Sequence, residues 1–100
     1  MALTYEQASL AAQQAREAAD LAFCAALEAS ELLNKLARSA ARARAKAKTT
    51  EERDAAITLY SEVDEQQAAA ERLHDEYWRL SDLASQSSNR VTALLPHVYR

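Results

Sequence analysis

One hundred residues suit a single domain, and the apolar fraction of 49% is too high for a disordered chain. Twenty-four residues are alanine, glycine is absent and the one proline is Pro96, so the chain lacks the turn residues of a β-rich fold and reads as all-α. The formal charge of −3 is uneven: residues 1–34 carry one base against five acids, residues 35–53 seven bases against two acids, and residues 54–100 four bases against eight acids.

The N-terminal stretch, MALTYEQASLAAQQ, is broken by polar residues and lacks the basic start of a secretory leader. No run of 18 apolar residues is present, so no membrane contact is expected. A single cysteine, Cys24, has no intramolecular partner, which fits a reducing compartment and a cytoplasmic location.

The first helix begins at Thr4. Gln7, three residues on, completes a capping box in which each side chain satisfies the other residue's backbone N–H. Nothing interrupts helix until Lys48. Thr49-Thr50-Glu51-Glu52 then supplies a second start, with Thr49 and Glu52 as a capping box or Thr50 capping directly. Glu51, Glu52 and Asp54 suit the positive N-terminus of this second helix, and Arg42, Arg44, Lys46 and Lys48 suit the negative C-terminus of the first. The rival is one continuous helix through Thr49-Thr50. The second helix is expected to run from about residue 50 to Leu94 and to stop at Pro96, leaving residues 96–100 as a tail. Ser85-Gln86-Ser87-Ser88-Asn89 is its weakest stretch. Each helix of ~45 residues would be ~65 Å long.

Apolar periodicity pairs the two. In the first helix, positions 8, 12, 15, 19, 22, 26, 29, 33, 36, 40, 43 and 47 are all alanine or leucine. In the second, positions 56, 59, 63, 66, 70, 73, 77, 80, 84, 87, 91 and 94 are apolar except for Gln66 and Ser87. Alternating steps of four and three over this length mark coiled-coil packing. The expected fold is a long antiparallel two-helix hairpin with an alanine seam.

Such a seam buries little. An alanine contributes far less than the ~1.5–3 kcal/mol of a buried leucine, while ordering costs ~1–2 kcal/mol per residue in backbone entropy. Large apolar residues also lie off the seam: Leu3, Leu10, Leu21, Phe23, Leu27 and Leu32 before the turn, and Ile57, Tyr60, Trp78, Leu83 and Leu95 after it. A second copy, forming a four-helix bundle, would cover them. An antiparallel homodimer would set the basic tip of one hairpin beside the acidic base of the other.

The expected partner-binding residues are Tyr77, Trp78 and Leu83 as an apolar strip, with Arg42, Arg44, Lys46 and Lys48 steering approach. Trp78 follows a seam residue and points off the seam. It is either a binding anchor or a packed residue of a dimer core. The bases Lys35, Arg38, Arg42, Arg44, Lys46, Lys48 and Arg53 would also suit phosphates. They spread around the helix with no interleaved aromatic, and dipole compensation and salt pairing account for much of the run, so nucleic acid ranks below an acidic groove on a protein.

Glu71-x-x-His74, with Glu28 and Glu31 opposite, loosely resembles the two-helix subunits of half-ferritins, which would imply a metal site completed on dimerisation. Both Glu71 and His74 fall off the seam, so ordinary surface groups are the preferred reading and no metal or cofactor is assigned. His97 has no convergent partner. Cys24 reads as a small apolar filler without a nearby base. Tyr60-Ser61-Glu62-Val63-Asp64 is similar to the Tyr-x-x-x-acid pattern of small secreted two-helix proteins, but their Trp-x-Gly turn is missing and the tyrosine lies mid-helix. Without glycine there is no phosphate loop, and no Cys/His cluster suits zinc. No enzyme is expected.

In plan the chain resembles bacterial export chaperones, which are acidic, helical, dimerising hairpins of about this length, and a phage-encoded inhibitor of a host machine fits equally. The resulting expectation is a small acidic helical adaptor, chaperone or inhibitor that masks a partner protein's surface. The alanine content is compatible with a high-GC bacterial or phage source.

Overall fold

The structure, a computed structural model, describes residues 4–98. The chain forms a helical hairpin of α1 (Tyr5–Lys46) and α2 (Thr50–Val98), with no strand among the described residues. Leu3 lies outside them, as do the last two residues of the expected tail.

Both expected caps form. The Thr4 N–H donates to Gln7 Oε1 at 3.0 Å and the Gln7 N–H to Thr4 Oγ1 at 3.1 Å, a reciprocal capping box. At α2 the choice between the two threonines falls on Thr49, whose Oγ1 accepts from the Glu52 N–H at 3.1 Å. Glu52 reaches one residue further back than in the usual box and accepts from the Lys48 N–H at 3.2 Å. Helix 1 ends with the Ala47 N–H on the Arg44 carbonyl at 3.3 Å, a three-residue step that tightens the last turn. Ala47, Lys48 and Thr49 make the connection, and no described residue adopts a positive φ. A glycine-free turn is thus possible because α1 closes on a backbone hydrogen bond and α2 is capped by side chains.

One expectation about α2, its end, is corrected. The helix passes through Ser85–Asn89 without a break. The seam positions 84, 87 and 91 are all partly covered there, and packing of that face overrides weak local propensity. The helix also continues beyond Leu94 and through Pro96 to Val98. Proline holds φ near its helical value, so α2 can carry it at the cost of one backbone hydrogen bond and some strain in the turn before it.

Contacts group the chain into two compact units, one made by the chain up to Cys24 with the chain from His74 onward, the other by Ala25–Leu73. In the first unit Phe23 meets Tyr77, while Ala12 shares a groove with Val91. In the second, the half-buried Gln66 donates its amide to the Ala29 carbonyl at 3.3 Å, while Arg44 shares a groove with Arg53. In each unit one helix's numbers rise as the other's fall, so the helices are antiparallel.

Every seam position read from the sequence is buried or partly buried. The fully buried apolar set is Ala8, Ala12, Ala19, Ala26, Ala29, Ala40, Ala56 and Ala70, and no larger side chain is fully enclosed among the described residues. The fully buried part of the seam is made of alanine methyl groups, with larger seam side chains partly covered around it.

Candidate functional site

The side chains left out of the seam define the surface that can act. Leu21 is 75% exposed, Ile57 63% and Trp78 62%, with Leu10, Phe23, Leu27, Leu32 and Leu83 also largely exposed. Heptad letters sort them. With Ala12, Ala19 and Ala26 at a on α1, and Ala56, Ala70 and Tyr77 at a on α2, Phe23 and Tyr60 fall at e, and Ile57 and Trp78 at b.

In the first unit Tyr77 sits partly covered on the seam and joins two other aromatics. Its ring centroid lies 5.3 Å from that of Phe23, at an interplanar angle of 57°, and 5.3 Å from that of Trp78, at 49°. These tilted contacts suit the quadrupoles of the rings. Leu83 is not part of this cluster. It falls at g, on the opposite flank of α2 from Trp78, so the strip expected from Tyr77, Trp78 and Leu83 divides into an aromatic cluster and a separate leucine. One shallow groove runs from Tyr77 past Ser81 to Ser88, and a second lies further along at Ser9, Ser88 and Val91, where the short e-position serines leave the seam edge open.

The second unit holds a groove of about 350 Å³ at the turn end of the hairpin. Ala47, Ala56, Ile57 and Tyr60 give it an apolar lining, and Arg44 and Arg53 stand at it from opposite helices. Composition and spacing do not announce this groove. It arises because alanines at a lie between longer side chains at e and b, a pattern visible only once the heptad register is assigned.

The basic residues are less compensated than expected. Arg44 and Lys46 occupy the last turn of α1, where the helix dipole favours them. Arg42 places its Nε 3.4 Å from the Arg38 carbonyl. Salt pairing, however, is absent from this segment: the ion pair found among the described residues is Glu76 with Arg79, far along α2. There the hydrogen-bonded Arg79 guanidinium holds the Glu76 carboxyl below the usual carboxylate range. Lys35, Arg38, Arg42, Arg44, Lys46, Lys48 and Arg53 have no ion-pair partner among the described residues.

Glu28, Glu31, Glu71 and His74 are all exposed, and no group of three or more His, Cys, Asp or Glu suited to a metal ion gathers among the described residues. Cys24 is exposed at f, the outermost position, rather than filling the interior. No described helix is long and apolar enough to cross a membrane. No protein-family model, curated protein or solved structure matches the chain.

Proposed function

We propose that this chain is a non-enzymatic protein-interaction module, a small acidic cytoplasmic adaptor, chaperone or inhibitor. It associates with a second copy, and its apolar flanks mask a partner protein's surface. One observation carries the reading: among the described residues the seam fully encloses only alanines, while Leu21, Ile57 and Trp78 are mostly exposed and Phe23 about half so. A hairpin with this distribution gains apolar burial mainly by meeting another chain.

Within that reading Tyr77 and Trp78 are the anchor, because aromatic side chains already held by neighbours lose little entropy on docking. Trp78→Ala is expected to weaken association by about 2 kcal/mol, roughly thirtyfold, with helicity retained. Unchanged affinity would remove the anchor assignment. Replacing Leu21, Ile57 and Trp78 together with glutamine should abolish association and leave the circular dichroism spectrum helical. Full association of that triple variant would contradict the reading.

The unpaired bases favour a second reading, in which the 35–53 segment contacts nucleic acid phosphates. A mobility shift with mixed DNA and RNA at physiological salt separates the two, since a protein partner's groove leaves the nucleic acid unshifted.

A further inference from the structure

The groove at the turn end and the tryptophan of α2 have complementary chemistry. The groove has an apolar lining from Ala47, Ala56, Ile57 and Tyr60, with Arg44 and Arg53 beside it. Neither arginine has an ion-pair partner among the described residues. At about 350 Å³ the groove lies at the small end of the ~300–1,000 Å³ typical of ligand clefts, a size for one or two side chains rather than a whole helix.

Trp78 is 62% exposed, and its ring is steadied against Tyr77. Asp75 and Asp82 lie three residues before and four residues after it, which puts both on its face of α2. Both are exposed and neither has an ion-pair partner among the described residues. An aromatic between two carboxylates thus matches an apolar groove between two guanidiniums. The wider field agrees, because residues 35–53 carry seven bases against two acids, and residues 54–100 four against eight.

We propose that Trp78 of one copy seats in the Arg44–Arg53 groove of a second copy, with Asp75 and Asp82 pairing with the two arginines. This rests on the self-association proposed above and names its contact. Arginine also stacks favourably on an indole face. Under two-fold symmetry the contact occurs twice, each copy giving a tryptophan and receiving one.

Charge exchange tests it on the full chain. The variant Arg44→Glu with Arg53→Glu has acids on both groove and knob, and the variant Asp75→Arg with Asp82→Arg has bases on both. Each alone should lose at least about tenfold in self-association by sedimentation velocity. An equimolar mixture should recover it, because both contacts of the mixed pair are then complementary. All four positions are exposed, so the circular dichroism of each variant should match the parent chain's. Variants that each associate like the parent chain would overturn this contact and leave self-association standing. So would a mixture that fails to recover. A parent chain that stays monomeric would overturn the contact together with the self-association beneath it.

Discussion

Ala40 is fully closed to solvent, and replacing it with leucine sets two effects against each other. The three added carbons would contribute about 2–2.5 kcal/mol if they found room, at ~0.8 kcal/mol per methylene. Room exists only if the helices separate, because the seam of the second unit is closed by Ala26, Ala29, Ala40, Ala56 and Ala70 at close approach. Separation would uncover those methyls and cost the Gln66–Ala29 hydrogen bond. Overpacking of a closed core usually wins by about 1–3 kcal/mol, and that is the destabilisation expected here. Alanine and leucine have similar helix propensity, so the helices themselves are not at issue. For a chain of this size the loss corresponds to a fall of roughly 4–20 °C in Tm. Thermal unfolding followed by circular dichroism at fixed protein concentration measures it, with Ala41→Leu, next door but exposed, expected to stay within about 0.5 kcal/mol of the parent. An Ala40→Leu protein more stable than its parent would refute the close-packed methyl seam.

Thr49→Ala should cost about 1 kcal/mol in urea denaturation by removing the cap on the Glu52 N–H, whereas Thr50→Ala should cost much less; equal losses would contradict the assigned cap. Gln66→Leu exchanges one modest hydrogen bond for apolar contact and should change stability by no more than about 1 kcal/mol. It should also loosen register, seen as off-register cross-links between cysteine pairs placed across the helices, and a single unchanged register would deny Gln66 that role. The association rate should fall steeply with added salt, and changing Arg42, Arg44, Lys46 and Lys48 to glutamine should remove most of that dependence. A salt-independent rate in the parent chain would exclude electrostatic steering.

Much of the fold was legible because few forces compete in this chain. With no glycine and a single late proline, helix is interrupted only where Thr49 offers a better partner to the backbone than the next turn does. The four-three spacing of Ala8 through Ala47 then leaves one face for packing, and that face is covered throughout. Local preference taken without the partner helix is least decisive near the end of α2. Ser85–Asn89 look weak by propensity but carry Ser87 on the seam and stay helical, whereas Pro96 suggests a stop that the helix passes by two residues.

The candidate site was less legible. Trp78 was visible as a lone large aromatic off the seam, but its grouping with Leu83 ignored the turn of the helix between them. Register alone would also have moved Cys24 from the interior to the outermost position. The lack of ion pairs to the 35–53 bases among the described residues depends on side-chain geometry rather than spacing, since Glu51, Glu52 and Asp54 lie near enough in sequence to suggest them. The groove between Arg44 and Arg53 requires two helices brought together, so no single stretch of sequence contains it.

Sedimentation equilibrium on the full chain, run beside thermal melts over a wide range of protein concentration, bears most directly on whether the methyl core needs a second chain. A reversible dimer whose Tm climbs with concentration is the expected result. A monomer at every concentration, melting sharply at one unchanging temperature, would contradict it.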